Sequence, residues 1–123
     1  MPRKASPSMP PREETALLED ALGQIDDLLA KAKGSSLDRL LADRDLQAIF
    51  ERRFEILGDG LRRLERSAPQ VFARIAGGRE AVGMRNLIAH GYDGVDHRIL
   101  WATVQNDLAA TAESIRSLIA ERG

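Results

Sequence analysis

Apolar residues recur along most of this chain at steps of three and four, the spacing that returns to one side of a helix when each residue advances by about 100°. Between Arg12 and Lys33 the set is Leu18, Leu22, Ile25 and Leu29, widened by Leu17, Ala21, Leu28 and Ala32. This predicts a one-faced amphipathic helix, ended by Gly34-Ser35-Ser36. A short helical piece over Leu37–Leu41 is expected next, then a second long helix beginning near Asp43 or Asp45. Its core face is Phe50, Phe54, Leu57, Leu61 and Leu64, and Ile49 and Ile56 extend the apolar arc towards a second surface that a symmetry mate could cover. Pro69 starts a short turn of helix through Ile75, Gly77-Gly78 breaks it, and Arg79 opens a helix with Ala81, Val82, Met84, Leu87 and Ile88 available for packing. Asp93-Gly94 makes a turn, and Asp96 is suited to cap a last helix running from His97 to about Arg122. That helix sets Trp101, Val104, Leu108, Ile115 and Leu118 on its core face. With no strand-like alternation and no internal repeat, the fold class is all-α: an antiparallel four-helix up-and-down bundle with short additional helical turns.

Residues 1–11 hold four of the five prolines, with Arg3 and Lys4 among them, a composition that does not pack. They are expected to be a disordered tail preceding one helical domain over residues 12–123. A chain of 123 residues buries roughly two-thirds of its unfolded surface, so this domain needs no staple. The absence of cysteine excludes disulfides and thiolate metal sites, and two histidines leave little for a dedicated metal site. No apolar run approaches the roughly 20 residues of a membrane span, and the N-terminus lacks the apolar segment of a secretion signal. A soluble cytoplasmic protein is expected. The formal net charge of -1 provides no global field for nucleic acid, and 4% aromatic residues provide no platform for stacked bases. Any RNA contact must rest on local charge and shape.

One stretch concentrates chemistry. Met84 to Tyr92 reads Met-Arg-Asn-Leu-Ile-Ala-His-Gly-Tyr and gathers Arg85, Asn86, His90 and Tyr92. Imidazole has an unperturbed pKa near neutrality and suits proton transfer, while guanidinium is a permanent forked donor suited to phosphate. On a regular helix Arg85 and His90 would lie about 140° apart, whereas Asn86 and His90 share a face. The geometry closes more easily if the helix ends at His90, with Gly91 as a left-handed residue beyond the terminus and Tyr92 emerging in the loop. Against the catalytic reading stands a simpler one, in which His90 only caps carbonyls and Tyr92 hydrogen-bonds a neighbouring helix.

Arg52, Arg62, Arg63 and Arg66 fall opposite the core face of the second long helix, with Glu55 and Asp59 at spacings that favour ion pairs along it. That pattern describes a solvated face. Gly58 and Gly60 cost helix propensity, which points to close approach of another backbone. Arg53, beside the wider apolar arc, is a candidate phosphate contact or a side chain snorkelling at an interface rim. His97, at a helix start, is expected to be exposed, and Met84 and Trp101 to be core.

The order Arg85, four residues, His90, Gly91, Tyr92 resembles the signature of the HepT-like ribonucleases, a branch of the HEPN superfamily of nucleotide-binding domains. The resemblance extends to Leu40-Leu41-Ala42-Asp43-Arg44, Glu55-Ile56-Leu57-Gly58, Gly83-Met84-Arg85-Asn86, Gly94-Val95-Asp96 and Trp101, in the expected order over roughly Glu14 to Leu118. Asp59-Gly60 stands where many relatives have Glu-Ala, and Ala89 replaces a frequent branched or polar neighbour of the histidine. The resemblance implies a HEPN-like bundle and a metal-independent ribonuclease site of Arg85 and His90 that uses no cofactor and lies in the groove of a homodimer. Asn86 would be a polar neighbour of the substrate. Tyr92 would be the target of a minimal nucleotidyltransferase antitoxin that attaches AMP. Two other classes meet the same residues: a non-cleaving dimer that binds a nucleotide or a nucleotidyltransferase, and a helical scaffold indifferent to Arg85 and His90.

Overall fold

The computed structural model describes residues 10–91 and 94–122, and every regular element in them is a helix. In chain order these are α1 (Pro11–Lys33), α2 (Leu37–Ala42), α3 (Arg44–Ser67), α4 (Pro69–Ala73), α5 (Gly78–Ala89), α6 (His97–Asn106) and α7 (Leu108–Arg122). The tail expected over residues 1–11 lies outside the described residues except for Pro10 and Pro11. Pro11 opens α1, where a missing N–H costs nothing because the first helical N–H groups have no intrahelical partner. Polar caps set the next boundaries. The Ser36 hydroxyl accepts from the Arg39 N–H at 3.1 Å, and Asp43 Oδ1 accepts from the N–H groups of Asp45 and Leu46 at 3.0 and 3.1 Å. Asp96 Oδ1 likewise accepts from the Arg98 N–H at 3.0 Å, so the predicted Asp96 cap forms, and of the two starts expected for the second long helix Asp43 is the one that caps it.

Antiparallel neighbours can be read from which side chains meet. Arg53 of α3 reaches Gln24 and Asp27 of α1, while Gly60 and Arg63 share a groove with Leu17 and Asp20. Arg122 of α7 bonds Glu14 at 2.6 Å, and Arg116 bonds Asp26 at 3.0 Å. On the other flank of α3, Asp59 meets Arg85 of α5 and Glu65 meets Arg79. In each pair the numbers run in opposite directions, giving an up-and-down bundle in which α3 lies between α1 and α5.

Phe50, Phe54, Leu57, Leu61 and Leu64 of α3 are fully buried, as their spacing predicts. Because α1 packs against both α3 and α7, its buried stripe runs through Leu18, Ala21, Ile25, Leu28 and Ala32, and Leu22 and Leu29 are only partly buried. The last helix departs from expectation by breaking at Asp107, whose φ of -120° lies outside the helical range. Either side of the break, the hydroxyls of Thr103 and Thr111 donate to the carbonyls of Ile99 and Asp107 four residues back, an arrangement that bends helices. Trp101 stacks on Phe50 with ring centroids 6.3 Å apart. None of the described helices is long and apolar enough to cross a membrane.

The two α3 glycines differ in purpose. A Cβ on Gly58 would lie 2.3 Å from Arg85 Cβ and 3.2 Å from the Ala81 carbonyl oxygen, so α5 can lie this close only because position 58 has no side chain. A Cβ on Gly60 would meet nothing within 4 Å. Gly58→Ala should therefore destabilise by about 1–3 kcal/mol, since crowding a packed contact outweighs the gain in helix propensity. Gly60→Ala should stabilise by about 0.5–1 kcal/mol. Urea unfolding of both variants checks this; a Gly58→Ala protein as stable as the parent would contradict the close contact.

Candidate active site

The close approach at Gly58 determines where the Arg85 side chain goes. Its Cβ and Cγ lie along α3, and the guanidinium emerges beside the next residue, where Nε donates to Asp59 Oδ1 at 2.7 Å. Nη1 makes a longer contact of 3.4 Å to Asn86 Oδ1. Arg85 is 27% exposed and Asp59 57%, so the pair sits at a rim where an ion pair contributes only about 0.2–1 kcal/mol. Its consequence is directional. With Nε held, the Nη side of the fork is turned away from Asp59, and an anion there would have only the long Asn86 contact to displace.

His90 ends α5. It occupies the C-cap with its N–H donating to the Asn86 carbonyl at 3.0 Å, and its side chain is exposed. The helix thus ends at His90, as expected. The expected role of Gly91 is corrected: among the described residues the positive-φ glycines are Gly77 at 71° and Gly94 at 97°. Gly91 is needed for space instead, since a Cβ there would lie 2.8 Å from the Leu87 carbonyl oxygen and 3.2 Å from that of Gly94. Gly94 N–H donates to the Gly91 carbonyl at 3.0 Å. Asn86, one residue after Arg85 and bonded through its carbonyl to His90, is exposed between them. Tyr92 and Asp93 lie outside the described residues.

Other polar residues fall away from this end of α5. Arg53 faces α1, with Nε donating to Asp27 Oδ2 at 2.7 Å and Nη1 to Gln24 at 3.2 Å. Its guanidinium is occupied by another helix, on the flank of α3 away from α5. His97 is not exposed as expected: its side chain is 13% accessible and Nε2 lies 2.6 Å from Glu51 Oε2, an α3 to α6 contact. The reading of the α3 arginine face also needs correction. Arg52 and Glu55 do approach, at 3.8 Å, but Asp59 turns to Arg85 and Glu65 to Arg79, so the two acids of the C-terminal half of α3 pair with α5. The residue sequence reasoning missed is Asp59, which sits directly after Gly58. A carboxylate following a contact glycine was the available signal.

The family model for Ribonuclease HepT-like proteins matches residues 18–118. The chain belongs to this family, and it is accordingly an endoribonuclease. Its curated relatives include "Putative RNase TTE0752" of Caldanaerobacter subterraneus subsp. tengcongensis, 26% identical over 83% of this chain and 90% of that protein. "Putative RNase MJ1380" of Methanocaldococcus jannaschii is 27% identical over 81% and 91%. "Probable ribonuclease HepT" of Thermococcus cleftensis is 29% identical over 79% and 87%. No solved structure matches. The matched span contains Gly58, Asp59, Arg85, Asn86 and His90.

The engagement of Asp27 by Lys31 and Arg53 has a measurable consequence. A hydrogen bond from the Lys31 ammonium, with the charges of Lys31 and Arg53, holds the Asp27 carboxyl below its ordinary value against the opposing effect of partial burial. A carboxyl lowered by folding adds stability above its unfolded pKa, about 4, and loses it as pH falls through the lower folded value. Asp27→Asn should cost about 0.2–1 kcal/mol at neutral pH, a difference that shrinks below about pH 4. Urea unfolding of parent and variant from pH 7 to pH 2 measures it, and a gap that persists undiminished into acid would contradict the assignment.

Proposed function

We propose that the chain is the toxin of a toxin–antitoxin pair, a metal-independent endoribonuclease whose chemistry lies on Arg85 and His90. The observation that carries this reading is the Arg85 guanidinium anchored through Nε on Asp59, with Nη1 held only by a 3.4 Å contact to Asn86 and with His90 at the end of the same helix. In the proposed reaction the 2'-oxygen of RNA attacks the adjacent phosphorus while the bond to the leaving 5'-oxygen breaks. His90 handles the proton, either taking it from the 2'-hydroxyl or delivering it to the leaving oxygen. Arg85 offsets the negative charge that builds on the phosphorane, where preoriented positive charge contributes most. Asn86 is a neutral donor and acceptor beside both. DNA, lacking the nucleophile, should resist.

A homodimer is part of the proposal. Leu87 on α5 and Ile99 on α6 are 42% and 41% exposed, large apolar side chains that a second copy could cover. A second Arg85 across the groove would add positive charge that a chain of net charge -1 otherwise lacks. For regulation, the Tyr92 phenol oxygen would attack the α-phosphorus of ATP in a nucleotidyltransferase partner, releasing pyrophosphate. The added AMP would put bulk and negative charge two residues from His90, opposing RNA both sterically and by repulsion.

The test is cleavage of RNA by the purified protein in excess EDTA, beside Arg85→Ala and His90→Ala proteins shown to be folded and of unchanged oligomeric state. Cutting by the parent, with losses of at least about a hundredfold in each variant, is expected. Undiminished cutting by either variant, or a parent that cuts only when a divalent metal is supplied, would refute the site.

A further inference from the structure

The arginines in the C-terminal half of α3 do not pair with the carboxylates that the sequence sets beside them. Asp59 stands three residues before Arg62 and four before Arg63, spacings at which helical ion pairs form, yet its carboxylate bonds Arg85. Glu65, three after Arg62, bonds Arg79 Nη2 at 2.6 Å. Both acids are thus taken by α5. Among the described residues, no carboxylate pairs with Arg62, Arg63 or Arg66 within 4.0 Å. Asp20 lines the same α1–α3 groove as Arg63 and remains beyond that distance. All three arginines are exposed.

Their arrangement has a direction. At about 1.5 Å rise and 100° per residue, Arg62, Arg63 and Arg66 lie roughly 5, 6 and 10 Å beyond Asp59 along α3 and within about 60° of its direction. Asp59 marks where the Arg85 guanidinium surfaces, so the uncompensated charges begin at the Arg85 rim and continue along the helix for two turns. Guanidinium forks match phosphate oxygens. With few aromatic side chains to stack bases, backbone contact is the term by which this chain can hold a strand.

We infer that Arg62, Arg63 and Arg66 form a phosphate-binding strip along which the RNA backbone runs, on one side of the scissile phosphate, away from Arg85. The strip rests on RNA being the substrate and on Arg85 marking the site. Contacts of this kind carry no sequence information. They raise affinity for strands long enough to reach them and make that affinity salt-dependent.

The test is binding of 2'-O-methyl RNA 12-mers, which lack the attacking hydroxyl, measured by fluorescence anisotropy across a salt series. The parent is compared with the triple variant Arg62→Ala, Arg63→Ala, Arg66→Ala, with the corresponding triple lysine variant, and with Lys33→Ala as a distant control. The positions are exposed, so folding should be little affected, and thermal unfolding and oligomeric state are checked for each. The alanine variant should bind roughly tenfold more weakly, with a slope of log K against log salt shallower by about 2, at roughly 0.7 for each phosphate no longer neutralised. The lysine variant should recover most of that slope, and Lys33→Ala should match the parent. An alanine variant that binds with the parent's affinity and slope overturns the strip. So does a parent with no measurable binding, or a weakening that only follows a change of oligomeric state. Should Arg85→Ala and His90→Ala still cleave RNA, the site reading fails while the salt-slope result on the strip stands by itself.

Discussion

The arrangement of this molecule depends on one contact, the seating of Arg85 against Gly58. Any side chain at position 58 would collide with the Arg85 stem and with the carbonyl of Ala81. With glycine there, α5 lies against the flank of α3, and the guanidinium is delivered beside Asp59 at the surface and not into solvent at large. Fold and chemistry meet here because the residue that closes the helix pair is also the one suited to a phosphate. His90 follows from the same helix: α5 ends where its N–H reaches the Asn86 carbonyl, so Arg85 and His90 no longer have to share a helical face.

That contact also redistributes charge. Taken alone, α3 alternates acids and bases and would neutralise itself along its own surface. Once α5 docks, Arg85 and Arg79 draw off Asp59 and Glu65, leaving a positive stretch at one end of α3. On the opposite flank Arg53 is held by Asp27 and Gln24 and strengthens the joint with α1. A chain with a formal net charge of -1 thereby acquires a locally positive surface beside its candidate site. The net figure excludes long-range attraction of nucleic acid and leaves short-range capture open.

Much of the fold was legible in the sequence, because core positions of a small bundle repeat with the helical period and its boundaries are written in caps. The α3 face from Phe50 to Leu64 and the Asp43 and Asp96 caps follow from local chemistry alone. The break at Asp107 was not legible, since no proline or glycine marks it between Thr103 and Thr111. Gly58 was recognisable as a point of close approach, whereas Gly60, alike in sequence, is open to solvent. Ion pairing was the least legible layer. Helical spacing assigned Asp59 to its own helix, but an acid on a packed flank is offered a second partner across the interface, and only docking decides between them. His97 illustrates the same point, its exposure at a helix start being cancelled by Glu51 on a helix far away in sequence.

A double-mutant cycle on RNA cleavage tests whether the Asp59 ion pair orients Arg85 for the RNA phosphate. The kcat for RNA would be determined for the parent, Asp59→Ala, Arg85→Ala and the double variant, with unfolding free energies measured in parallel. If Asp59 acts through Arg85, its removal lowers kcat by roughly tenfold in the parent and has no effect once Arg85 is gone, corresponding to about 1.4 kcal/mol of coupling. Stability should change by no more than the roughly 0.2–1 kcal/mol of an exposed pair. Equal reductions in both backgrounds, or an Asp59→Ala protein that cleaves as fast as the parent, would show that Asp59 does not act through Arg85.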